Sequence, residues 1–272
     1  MSVHYEQAGD GRPTILFVHG GFCSLHDWRH QVERLSGTWR TVTLDLPGHG
    51  RSTVGDPGSL SPETCAHAVN RVRAELGVGS CVLVGHSFGT RVVLEAACRE
   101  PDNVTGIVLV DTSRVGAPGH EVDDGPISAA LDELGATPFI RRYFTDMMIG
   151  EHSSTIMSEV AGNRLKDVDA DMIRAIMRST VRWDSYRMDD AFAELSSLDV
   201  LAIQSTTNHM GQPRRTIESN SPVPWLDLLA ERIERLTTTR IPRAGHFCML
   251  EKPGPVSEAI ARFVDSLVAG RS

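Results

Sequence analysis

Ser87 lies within Gly85-His86-Ser87-Phe88-Gly89, after the apolar run Cys81-Val82-Leu83-Val84 and before the helical stretch Thr90-Arg91-Val92-Val93-Leu94-Glu95-Ala96-Ala97. A buried strand therefore meets a helix through one tight turn with a serine at its apex. The flanking glycines are a steric requirement, since a side chain at either position would clash with neighbouring strand or helix. The turn pushes the serine hydroxyl away from the backbone, where a histidine and a substrate can reach it. The N–H of Phe88 opens the following helix, whose dipole favours developing negative charge. The chemistry this suits is nucleophilic attack by serine.

The elements that position this turn alternate along the chain. Apolar runs at Ile15-Leu16-Phe17-Val18, Thr41-Val42-Thr43-Leu44, Ile107-Val108-Leu109-Val110 and Val200-Leu201-Ala202-Ile203, with a last strand near residues 237–241, read as strands buried on both faces of a parallel sheet. Helical patterns lie between them: about 25–35, 61–77 opened by Ser61-Pro62, 87–99, 224–236 and 255–268. The alternation predicts an α/β fold, a doubly wound, mostly parallel sheet with right-handed crossovers. Residues 113–186 break the rhythm with Gly116-Ala117-Pro118-Gly119 and methionine-rich helical segments (Met147, Met148, Met157, Met172, Met177, and Met188 just beyond). They predict a helical cap inserted into a core domain of residues 1–112 and 187–272. Methionines in such a cap fill its core or roof a pocket adaptably.

Composition narrows the classes. The 272 residues suit one α/β domain with an insertion, and the formal charge of −8 with few lysines argues against a nucleic-acid partner. No apolar run reaches membrane-spanning length, and the first residues have neither a basic nor a long apolar region. The five cysteines are odd in number and scattered, which predicts reduced thiols in a cytoplasmic protein. No Cys or His spacing of a metal site is present, so no metal and no cofactor are expected. The oligomeric state is not readable.

His19-Gly20-Gly21-Phe22 with Trp28-Arg29, Asp45-Leu46-Pro47-Gly48-His49-Gly50-Arg51-Ser52, Gly85-His86-Ser87-Phe88-Gly89 and Gly245-His246-Phe247 with Glu251-Lys252-Pro253 occur in this order. Together they resemble the α/β-hydrolase fold superfamily over essentially the whole chain. The resemblance makes Ser87 the nucleophile and His246 its base. A position after the last strand of a parallel sheet puts His246 on the same edge as Ser87. His86 reads as structural, and His19 and His49 as loop braces. The oxyanion donors implied are the N–H groups of Phe88 and Gly21, with Phe22 the neighbouring alternative. In most relatives the acid follows the strand ending here at Ile203-Gln204, but that loop, Ser205-Thr206-Thr207-Asn208-His209-Met210-Gly211, offers only the amide Asn208. The next carboxylate, Glu218, is remote. Some branches carry the acid where Asp111 stands, so Asp111 is the expected acid and Asp45 a loop brace.

Ser87 disfavours dehalogenases and epoxide hydrolases of this fold, which use aspartate at that position. The resemblance then implies acyl transfer to water through an acyl-serine, on a small-molecule ester, lactone, amide or activated C–C bond. Phe22, Met147, Met148, Trp183 and Tyr186 are candidate substrate-lining residues, although Trp183 also suits an anchor for the cap. Two other classes stay open. Cofactor-free ring-cleaving dioxygenases of heteroaromatic substrates share the fold and the acid position, but they carry an aromatic residue and a histidine where this chain has Gly21 and Cys23. A non-catalytic binder on this fold is the other.

Overall fold

The computed structural model describes residues 2–123, 125–149, 156, 165, 168–208 and 212–270. Its strands are β1 (Tyr5–Ala8), β2 (Thr14–Val18), β3 (Thr41–Leu44), β4 (Cys81–His86), β5 (Val104–Val110), β6 (Val200–Gln204), a short pair β7 (Thr206–Thr207) and β8 (Arg215–Thr216), and β9 (Leu236–Arg240). The main sheet has the order β1-β3-β2-β4-β5-β6-β9. All its neighbours are parallel except β1 against β3. Strands β2, β3, β4, β5 and β6 are buried along their whole length, as apolar runs covered by helices on both faces must be. The sequence gives no sign of β1, because Tyr5-Glu6-Gln7-Ala8 is a short, polar, partly exposed edge strand.

The helices are α1 (Arg29–Leu35), α2 (Pro62–Glu75), α3 (Phe88–Arg99), α4 (Gly125–Leu134), α5 (Ala136–Tyr143), α6 (Ala170–Tyr186), α7 (Met188–Glu194), α8 (Pro224–Arg232), α9 (Cys248–Glu251) and α10 (Pro253–Ala269). A tight 3₁₀ turn, Leu25–Trp28, replaces the first turns of the helix expected from residue 25. Helix α2 starts where its sequence signals it: Ser61 and Thr64 exchange side chain-to-backbone hydrogen bonds of 2.9 and 3.2 Å, and Pro62 occupies the first turn. Helices α2 and α3 pack together, as do α1 and α10, and cover the sheet. Helices α4, α5 and α6, with the wide turn Phe144–Ile149 after α5, form the cap inserted between β5 and β6.

Strand β2 lies between β3 and β4, so the chain leaves β2 toward one side of the sheet and builds the other side from β4 onward. The loops after β2 and β4 diverge there, and a crevice opens at the carboxyl edge. Val18 is in register with Gly85, His86 with Val110, and Val110 with Ile203, so residues following β2, β4, β5 and β6 emerge side by side.

Candidate active site

Ser87 links β4 to α3 with φ 53° and ψ −117°, a strained conformation for a residue with a side chain. A Cβ on Gly85 would collide with Gly89 O, and one on Gly89 would lie 2.5 Å from His19 O and 2.7 Å from Val18 O. Glycine at both positions is what lets the turn close against β2. A Cβ on Gly20 would stand 3.2 Å from Ser87 Cβ, and one on Gly21 would stand 3.6 Å from Phe88 Cβ. The loop after β2 therefore lies directly against the serine turn. Phe88 N–H is the first of α3 and has no acceptor within the helix. Phe22 N–H, by contrast, donates to His49 Nε2 at 2.9 Å and is not available to a substrate oxyanion.

Asp111 follows β5 with φ 38° and is fully buried. Its Oδ2 accepts from His246 Nδ1 at 2.7 Å and from Thr206 Oγ1 at 2.7 Å. Its Oδ1 accepts from Ser205 N at 2.8 Å, Ser205 Oγ at 2.8 Å and Thr206 N at 2.7 Å. Burial alone would raise this carboxyl, but His246, Arg214 and Thr206 hold it far below the usual carboxylate range. Burial, helped by the nearby Arg214, outweighs the Asp111 carboxylate and holds the His246 imidazole below its ordinary range. The pair at neutral pH is thus a carboxylate and a neutral imidazole with its proton on Nδ1, leaving Nε2 free to accept. Ser87 and His246 line one cavity. No hydrogen bond joins Ser87 Oγ to His246 among the described residues, and such contacts often tighten only when substrate is bound.

Three other histidines, His86, His19 and His49, and two acids, Asp45 and Glu251, brace loops around the site. His86 Nε2 donates to the His246 carbonyl at 2.9 Å, and burial lowers its pKa to about 3. Leu46 N–H donates to His19 Nε2 at 2.9 Å, and His49 Nδ1 bonds Pro47 O at 2.9 Å. Asp45 accepts from Leu25 N and Arg51 N, both at 2.9 Å. Gly245 N–H donates to Glu251 Oε2 at 2.8 Å, which fixes the loop that carries His246. Gln204 Nε2 ties the ends of β5 and β6 through Thr112 O at 2.9 Å and Thr206 O at 2.7 Å.

The cavity holds about 300 Å³, a size for a small molecule. Gly21, Phe22, Phe88, Met147, Met148 and Asn208 line it; Trp183 and Tyr186 do not. This corrects the expectation for those two aromatics. Trp183 is buried under the cap, where its indole N–H donates to Glu95 Oε2 at 3.2 Å, so it anchors α6 to α3. Tyr186 ends α6 on the outside, 52% exposed. Among the other cap methionines, Met177 reaches the cavity, Met172 and Met188 are core, and Met157 lies outside the described residues. His209, Met210 and Gly211 also lie outside them.

Ser205 and Thr206, for which the sequence suggests a strand-end bracing role, supply the donors that cradle Asp111. Sequence reasoning missed three other residues at this site. Arg91, buried, pairs with both oxygens of Asp184 at 2.9 and 2.7 Å and donates to Ser87 O at 3.2 Å, linking the serine turn to α6. Tyr143 lines the cavity; burial raises its phenol pKa, against the pull of Arg214 and Arg91. Arg214 lines it too, with its backbone N–H on Met147 O at 3.1 Å. No spacing or periodicity marks these residues, since each acts through partners distant in sequence.

The crossing strands, the strained serine turn and the inserted cap are those of an α/β hydrolase, and residues 13–145 match the family described as alpha/beta hydrolase fold. That match covers just under half of the chain, whose fold is that of α/β hydrolases. The chain is 35% identical over 110 residues to the dihydrolipoyllysine-residue acetyltransferase component of the acetoin cleaving system of Cupriavidus necator, covering 40% of this chain. It spans only 29% of that relative's length. It is 25% identical to epoxide hydrolase 3 of Xenopus tropicalis, covering 96% of this chain and 74% of that protein. A thermophilic esterase from Thermogutta terrifontis shares the fold with a TM-score of 0.80 at 22% identity, over 97% of this chain and 93% of that one.

Proposed function

We propose that this protein is a serine hydrolase of small-molecule esters, lactones, amides or activated C–C bonds, with Ser87, His246 and Asp111 as its catalytic residues. The observation that carries this reading is the Asp111 carboxylate 2.7 Å from His246 Nδ1, with His246 and Ser87 on one cavity. Ser87 Oγ attacks the carbonyl carbon while His246 Nε2 takes its proton. Asp111 holds the imidazole in the Nδ1–H tautomer and stabilises the imidazolium that forms. The N–H groups of Phe88 and Gly21 receive the oxyanion. Collapse expels the leaving group, which takes the proton from His246, and leaves an acyl-serine. Water then attacks the acyl group, His246 takes the water proton and returns it to Ser87 Oγ, and the acid departs. Residues 113–186 serve as the cap that closes the cavity over a core of residues 1–112 and 187–272.

The esterase fold neighbour supports acyl chemistry. The epoxide hydrolase relative raises a different reaction, against which the serine at the elbow stands. Labelling with a fluorophosphonate probe, read by intact mass, tests the reading. One adduct on the wild type, absent from Ser87→Ala and slowed in Asp111→Asn, is the expected result. A well-folded wild type that takes no adduct would overturn it, and oxygen uptake with heteroaromatic substrates would then test the dioxygenase alternative.

A further inference from the structure

The charge on the cavity wall is one-sided: among the described residues it carries Arg91 and Arg214 and no carboxylate. Arg91 is consumed. Beyond the Asp184 pair, its guanidinium donates to Thr112 Oγ1 at 2.6 Å and Ser113 O at 2.5 Å. Arg214 is not. Its side chain is 6% exposed, and its Nη1 faces the triad, 3.1 Å from Thr206 Oγ1 and 3.6 Å from Asp111 Oδ2. Asp111 does not exhaust it, because both carboxylate oxygens already accept from Ser205, Thr206 and His246. On the other edge, among the described residues, Nη2 makes one long bond of 3.3 Å to Ser113 Oγ, and Nε, though buried, has no acceptor.

The Nε–Nη2 edge of arginine is a two-pronged fork that matches a carboxylate. A buried, charged N–H without an acceptor is costly, so an acceptor from outside the chain is the economical partner. Two hydroxyls stand by. Ser113 lines the cavity beside Nη2, and Tyr143 lies within electrostatic reach of both arginines with no hydrogen bond of its own among the described residues. The rest of the wall, including Ile127, Phe144, Met147, Met148, Ile176 and Met177, is apolar and suits a hydrocarbon spacer.

We propose that the cavity takes substrates with a free carboxylate, held by Arg214 Nε and Nη2 with the Ser113 and Tyr143 hydroxyls, while Ser87 attacks the ester or lactone carbonyl. The proposal rests on the hydrolase reading above for its chemistry, but not for its binding step.

The test compares monoethyl esters of succinic, glutaric and adipic acids with neutral ethyl esters of equal chain length. In the wild type, kcat/KM for the best anionic ester should exceed that for its neutral counterpart roughly 10- to 100-fold, the worth of a charged hydrogen-bonded pair. Arg214→Gln should collapse that ratio, and Arg214→Lys should restore part of it. The ratio is the readout because Arg214 also neighbours Asp111. Tyr143→Phe and Ser113→Ala, each lowering the ratio a few-fold, serve if Arg214→Gln does not fold. A wild-type ratio near one, or a ratio unmoved by these variants, overturns the proposal. Calorimetry separates it from the hydrolase reading: the same anionic esters should bind Ser87→Ala and bind Ser87→Ala/Arg214→Gln at least about tenfold more weakly. Equal affinity, or no binding to either, overturns it whether or not turnover is seen.

Discussion

At the scale of single residues, the site is a chain of hydrogen bonds in which each partner fixes the next. Asp111 is held by Ser205 and Thr206 and in turn holds His246 through Oδ2 at 2.7 Å. Asp111→Asn keeps the shape but removes the charge and favours the wrong tautomer, so kcat should fall on the order of 10³- to 10⁴-fold. Asn208→Ala should change kcat by no more than a few-fold; steady-state kinetics on both variants check this, and the reverse ranking would overturn Asp111 as the acid. His246 must be neutral to act as base, and its pKa is lowered by burial and by Arg214. A lowered pKa keeps the base competent to more acidic pH. The acid limb of kcat/KM should therefore fall below the ordinary imidazole value of about 6.5. A limb centred at or above that value would contradict the buried setting of the ring.

At the scale of elements, the serine turn works because β2, β4 and α3 approach within backbone contact. Gly89→Ala places a methyl 2.5 Å from His19 O, with rigid backbone on both sides. That variant should lose most of its folded yield, measured by soluble expression and circular dichroism. The cap is tied down differently. The buried Arg91–Asp184 pair joins α3 to α6, and Val115 N–H shares Asp184 Oδ2 at 2.6 Å. Asp184→Ala leaves a guanidinium buried without its counter-charge, which should cost about 3–5 kcal/mol in urea denaturation. A loss under about 1 kcal/mol would mean that water or the cap relaxes around Arg91.

At the scale of the whole molecule, the fold gathers buried neutral histidines around the carboxyl edge of one sheet. Burial lowers His49 to about 4 and His86 to about 3, and His246 is lowered as well. Unfolded, each takes up a proton near pH 6.5, whereas the folded protein resists it. The unfolded state therefore binds more protons as pH falls through that value, and stability is lost from about pH 6.5 downward to about pH 3. Tm measured across that range should decline steadily, and a flat profile would mean that one or more of these rings titrates freely in the fold. No helix of the described residues is long and apolar enough to cross a membrane.

The amino-acid sequence alone determined the sheet's inner strands, the start of α2 and the serine turn. These rest on local physics: apolar runs, a Ser61-Pro62 cap, and two glycines around Ser87. It narrowed the acid to Asp111 or an amide, because only two strand ends offered a candidate. Tertiary structure decided what depends on partners far apart in the chain. The Asp111–His246 contact spans 135 positions, and the Asp111–Thr206 contact 95. Trp183 and Tyr186 sit on one helix three residues apart, yet packing buries one against Glu95 and leaves the other in solvent. Arg214 carries no local signal at all. It matters because the β7–β8 pair and the cap bring it to the same cavity as Ser87, and a guanidinium's role is set by which acceptors surround it.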